Sequence, residues 1–157
     1  MTGGQPIVVG VDGSAASARA LRWALEEGRR RAVAVYALGV WESHAVTAGP
    51  APLLMRPGLA PHHVREQHWQ ELNRLVRECV GAASSPEVHA ELVEGDAAEV
   101  LADRSAHAAL LVLGDNGRGR VAEAVLGSTV LRCIHRARCP VVVVPAGVVG
   151  EHATGPG

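Results

Sequence analysis

The chain has 157 residues, 48% of them hydrophobic and 20% charged, enough apolar material for one domain with a full core and too much for a disordered tail protein. Fifteen basic residues against 16 acidic ones leave a formal net charge of −1 with no block of like charge, which argues against a nucleic-acid or membrane partner recruited by a basic surface. All 15 basic residues are arginine, so Schiff-base lysines and the lysine-bearing phosphate loop are excluded, and a phosphate site has to use backbone amides or arginine.

Ile7 to Val11 is a short β-branched run that stops at Asp12-Gly13-Ser14, turn and helix-start chemistry, and is the first predicted strand. From Ala15 to Arg31 small or apolar residues recur at Ala18, Leu21, Leu25 and Gly28, with Arg22, Glu26, Arg29 and Arg30 off that stripe, as in an amphipathic helix. Ala32 to Val40 reads as a buried strand. Between Trp41 and Pro61 prolines and glycines mark a long connection. Val64, His68, Leu72, Leu75 and Cys79 then keep helical spacing within a helix expected from about His62 to Ala83, which Pro86 bars from continuing. Val88 to Glu94 alternates as a strand does, and Asp96 and Glu99 have capping-box spacing at the head of a short helix ending near Ser105 or Ala106. Ala108 to Leu113 is a continuous apolar strand that runs into Gly114-Asp115-Asn116-Gly117-Arg118-Gly119. A helix follows Gly127-Ser128 through Val130, Leu131 and Ile134, and Val141 to Val144 is a final buried strand.

Five buried strands alternating with about four helices predict an α/β fold: a doubly wound, five-stranded, mostly parallel sheet with helices on both faces, Rossmann-like. Residues 1–147 form the expected domain and 148–157 a flexible tail. The start MTGGQPIVVG lacks the charged and apolar regions of a secretory signal, and no uninterrupted apolar stretch of membrane length occurs, so a cytoplasmic protein is expected. Cys79, Cys133 and Cys139 are odd in number and contain no C-x-x-C, which supports small buried or half-buried side chains rather than disulfides or a zinc site. The histidines, His62, His63 and His68 included, lack metal-ligand spacing, and Trp23, Trp41 and Trp69 read as packing residues, with Trp41 beside the expected ligand pocket.

In a doubly wound sheet ligands sit beyond the carboxyl ends of the strands where strand order reverses, which directs attention to Asp12, Val40 and the Gly114 segment. There Gly114-x-x-Gly117, nine residues, then Gly127-Ser128 joins a glycine turn at a strand end to a helix N-terminus. Glycines let backbone amides approach phosphate oxygens, and the helix start adds unpaired N–H groups and partial positive charge, with the Ser128 and Thr129 hydroxyls as further donors. Asp12 and Ser14 read equally well as helix caps.

This spacing resembles that of the universal stress protein family, whose ATP-binding members carry G-x-x-G, nine residues, then G-[ST]. The resemblance extends through Val9 to Ser14 and Cys139 to Pro145, so it covers essentially the whole chain. It implies an ATP site, with or without Mg2+, lined by Gly10, Val11, Asp12, Val40, Gly114, Asn116, Gly117, Arg118, Gly119, Gly127, Ser128 and Thr129. Asp12 would meet the nucleoside, and the backbone of Val40 would read the adenine edge. The implied function is a stress-response or signalling module with at most slow ATP hydrolysis. It would form a homodimer through Val141 to Val144, where an apolar edge strand left bare invites pairing about a two-fold axis. One residue departs from the pattern: Asp115 stands where ATP-binding relatives have an uncharged residue, and its carboxylate would oppose phosphate unless it points away or Arg118 and Arg120 offset it. Asp115 is therefore the argument for an alternative, a family member that binds no nucleotide and acts by dimerisation and protein contacts. A nucleotidyl-transfer enzyme is the third reading, weakened because no H-x-G-H occurs.

Overall fold

The computed structural model describes residues 3–42, 61–116 and 126–147. Gly117, Arg118 and Gly119 of the expected site, Arg120, most of the connection after Trp41, and the expected tail lie outside them. Nine elements alternate along the chain: β1 (Ile7–Gly10), α1 (Ala15–Arg31), β2 (Val35–Trp41), α2 (Pro61–Val80), β3 (Val88–Glu94), α3 (Ala97–Ser105), β4 (Leu110–Gly114), α4 (Ser128–Arg136) and β5 (Val141–Val144). They build one sheet of order β3-β2-β1-β4-β5 in which every pairing is parallel.

Two-residue periodicity along each strand divides the core. Ile7, Val9, Val35, Ala37, Leu110, Val112 and Val144 face Leu21 and Leu25 of α1 and Leu72 and Leu75 of α2. Val8, Leu38, Leu111 and Leu113 face the other way, onto Leu101 of α3 and Val130 and Cys133 of α4. Both faces of the sheet are covered, which is why the strands read as unbroken apolar runs.

Element boundaries shift from the sequence reading for local reasons. Strand β2 begins at Val35 rather than Ala32, because Ala32 is in the left-handed region (φ 57°) and closes α1, with its own N–H bonded to the Arg29 carbonyl and that of Val33 to the Gly28 carbonyl. Helix α2 ends at Val80, where Gly81 takes φ 59°, well before Pro86. Strand β4 starts two residues later than expected and includes Gly114. At the head of α3 the Asp96 half of the expected capping box is formed, its side chain accepting from the Glu99 amide at 3.0 Å, while the Glu99 carboxylate lies 3.7 Å from Arg136.

Candidate functional site

Strand order reverses between β1 and β4, and a cavity of about 340 Å3 opens beyond their carboxyl ends. On the β1 side the chain passes from Gly10 through Val11, whose N–H donates to the Leu38 carbonyl at 2.9 Å, into a turn closed by the Asp12 side chain, whose Oδ1 accepts from the Ser14 amide at 2.9 Å. The cap of α1 is Ser14, with Oγ accepting from the Ser17 amide at 3.1 Å. Ser17 Oγ in turn donates to the Ser14 carbonyl and accepts from the Asp12 amide at 3.3 Å. The Ser17 amide in the first turn of α1 is thus capped from within, and Asp12 both braces this turn and lines the cavity.

The start of α4 is different. Its cap residue is Gly127, which brings no side-chain hydrogen bond, and the Gly127 N–H is spent on the Asp115 carbonyl at 3.0 Å. The first bond of the helix runs from the Leu131 N–H to the Gly127 carbonyl. Helix geometry therefore leaves the amides of Ser128, Thr129 and Val130 without intrahelical partners, and all three residues line the cavity. These amides and the positive end of the helix dipole favour an anion in the cavity that Asp12 also lines.

Apart from Asn116, the remaining side chains of the wall are apolar: Leu38, Val40, Ala97, Leu101 and Leu113. In a parallel ladder both peptide groups of a residue point to one side, so Val40 shares the direction of Leu38, toward β1. Because β1 ends at Gly10, opposite Leu38, the Val40 N–H and C=O project beyond the ladder, whereas the Trp41 carbonyl is taken by the Gly95 amide on the β3 side.

Among the described residues, the structure gathers Gly10, Val11, Asp12, Val40, Gly114, Asn116, Gly127, Ser128 and Thr129 around this cavity. Trp41 is not among the lining residues; it is buried on the α2 side with its ring 6.3 Å from that of His68. Gly114 has a structural reason of its own, since a Cβ there would lie 2.6 Å from the carbonyl carbon and oxygen of Ala16. Leu101 and Ala97 were missed in the sequence, although a short helix opening at Gly95-Asp96 placed them at a strand end. Among the described residues no group of three or more His, Cys, Asp and Glu side chains could hold a metal ion.

Asp115 does not line the cavity. Its Oδ1 lies 3.5 Å from Nη2 of Arg19 on α1, a partner that no local spacing signals. No helix among the described residues is long and apolar enough to cross a membrane.

Comparison with known proteins agrees with the fold. The sequence model of the universal stress protein family matches residues 4–145. A universal stress protein of Mycobacterium tuberculosis is 34% identical over 144 residues, which cover 88% of this chain and 46% of that protein, so the chain spans about half the length of this relative. The solved structure of UspA from Lactobacillus plantarum superposes with a TM-score of 0.74 at 26% identity, covering 89% of this chain and 97% of that one. A universal stress protein from Archaeoglobus fulgidus, solved in complex with dAMP, shares the fold with a TM-score of 0.56 at 24% identity, over 91% of this chain and 98% of that one. With the family pattern spanning all five strands and the cavity they frame, the chain belongs to the universal stress protein family.

Proposed function

We propose that the protein binds an adenine nucleotide in this cavity, ATP with or without Mg2+, and serves as a stress-response or signalling module whose surface differs between empty and occupied forms. The observation that carries this reading is the start of α4, a helix N-terminus without a side-chain cap that opens into the same cavity as the Asp12 carboxylate. A nucleotide matches that polarity, with phosphate oxygens on the amides and ribose hydroxyls donating to Asp12. The apolar wall suits a base, whose edge the free peptide groups of Val40 would read. The volume is within the range of roughly 300–1,000 Å3 usual for small-molecule sites. The Archaeoglobus protein of the same fold, described with dAMP, supports the choice of adenine. Asp115, the objection to phosphate, is paired with Arg19 outside the cavity wall.

The test is chemical. Purified protein is denatured, its supernatant chromatographed for adenine nucleotide, and the nucleotide-free protein titrated with ATP. Gly127→Asp, at a backbone geometry (φ −68°, ψ 157°) open to any residue, offers the α4 amides a carboxylate of their own. Binding that weakens about tenfold or more with the melting temperature held is the expected result; ATP affinity indifferent to this change refutes the site.

A homodimer through β5, one of the two edge strands, is part of this reading. Val141, Val142 and Val143 are only half-buried there, and Leu131 and Ile134 of α4 are 45% and 44% exposed. Sedimentation equilibrium should give twice the 16.3 kDa chain mass, and a monomer at micromolar concentration refutes it.

A further inference from the structure

Asp115 directly follows Gly114 and precedes Asn116, both of which line the cavity, so a carboxylate sits at the root of the segment that would receive an anion. The wall already carries Asp12, and none of the described residues lining it is cationic. A second unpaired carboxylate at this rim would set two negative charges against an incoming phosphate, with repulsion that grows as water is excluded.

The geometry of one pair prevents this. Arg19, more than a turn into α1, reaches Asp115 Oδ1 across the top of β4, and the two side chains are only 23% and 20% exposed. At 3.5 Å the contact is long for a charge-assisted hydrogen bond and engages one carboxylate oxygen, while the buried Arg19 Nε has no hydrogen-bond partner among the described residues. What Arg19 does supply is a positive charge beside Asp115. The Asp115 carbonyl meanwhile accepts the Gly127 N–H, so the residue that Arg19 holds also anchors the start of α4.

Resting on the nucleotide reading above, we infer that Arg19 is a specificity-determining residue. By pairing with Asp115 on the α1 side of β4, it keeps a carboxylate away from the cavity and offsets its field, so the site accepts ligands bearing phosphate rather than only an uncharged nucleoside. Arg19 touches no ligand in this scheme; it acts through Asp115.

Four proteins decide the matter: wild type, Arg19→Ala, Asp115→Asn and the double variant, each titrated calorimetrically with ATP, AMP and adenosine without added divalent cation. Arg19→Ala should weaken ATP and AMP about tenfold and leave adenosine within about twofold, since it frees one negative charge that only the charged ligands feel. Asp115→Asn should bind like wild type or more tightly, and the double variant, with the same net charge at this pair as wild type, should recover to the wild-type level. Equal losses in both single variants without recovery in the double, or equal losses for ATP and adenosine, would mark a structural clasp and overturn the inference while nucleotide binding stands. A wild type that binds none of the three ligands removes the nucleotide reading and this inference with it. If Arg19→Ala does not fold, Arg19→Gln, which keeps part of the aliphatic stem and an NH2 donor without the charge, is judged by the same pattern.

Discussion

Replacing Gly114 with alanine separates the two reasons a glycine has for standing at the end of β4. A methyl group there would meet the Ala16 carbonyl carbon and oxygen at 2.6 Å and the Ala16 Cβ at 2.7 Å. Carbon atoms in contact prefer about 3.5–4.0 Å, so helix and strand would have to part by roughly an ångström. The obstacle is backbone in the first turn of α1, tied down by the Ser14–Ser17 cap, and cannot rotate away. Overpacking costs about 1–3 kcal/mol, and a rigid neighbour puts this case in the upper half, ~2–3 kcal/mol. At ~2–4 °C per kcal/mol for a chain of this size, the melting temperature should fall by ~5–10 °C. Urea denaturation should show a lower midpoint at unchanged slope. Gly10→Ala is the comparison: its methyl would meet the Leu113 and Leu101 side-chain ends at 2.9 and 3.1 Å, which can rotate, so a loss below ~1 kcal/mol is expected. A Gly114→Ala protein as stable as wild type, or a Gly10→Ala protein equally damaged, would refute this packing argument.

Ala32 spends its left-handed conformation closing α1, and Ala32→Gly should raise stability by ~0.5 kcal/mol in thermal unfolding, the relief of strain slightly exceeding the added freedom of the unfolded chain. Asp96 is held below its ordinary value of 3.8, first by its side-chain bond with Arg132 and then by the Glu99 amide. Its contribution is therefore complete above about that pH and lost as pH falls through the lowered native value. The stability gap between wild type and Arg132→Ala should shrink in urea titrations taken below pH 3.8, and a gap constant with pH would contradict the assignment. Burial pushes the Cys133 thiol up to about 11 and leaves it 0% exposed, so Ellman's reagent near neutral pH should label it only after urea is added.

The layering was legible because alternation along the strands and stripes along the helices are fixed by backbone geometry. Val8 had to part from Ile7 and Val9 whatever their neighbours were. The ends of strands were not, because a strand covered on both faces has no polar residue to mark where pairing stops, and Ala108 and Ala109 are as apolar as the β4 residues after them. Helix α2 was expected to reach about Ala83 before Pro86 barred it, while the operative signal was Gly81, a terminator that works through its left-handed conformation rather than by blocking a bond. Glu27 is a charged residue in the buried set, made tolerable by Arg30 and Arg31 three and four positions on; sequence shows the spacing but not the burial.

The same distinction separates the two halves of the site. The glycine spacing from 114 to 128 was readable because it describes two chain ends meeting, and the Gly127 N–H on the Asp115 carbonyl is that meeting. Arg19 was not, since it is 96 positions from Asp115, and the sequence offered Arg118 and Arg120 as the nearer charges. Yet a trace of it existed in Gly114. A strand end without a side chain lets the first turn of α1 settle against it, and the helix then places position 19, one turn beyond Ala16 on the same face, beside the residue after Gly114. If that is the cause of the pairing, Gly114→Ala should do more than destabilise: by prising α1 from β4 it should lengthen the contact of Arg19 with Asp115 and weaken ATP more than adenosine. Gly10→Ala, whose methyl points to the opposite face, should not discriminate between the two ligands, and a variant pair that fails to differ in this way would show that the close approach and the ion pair are independent.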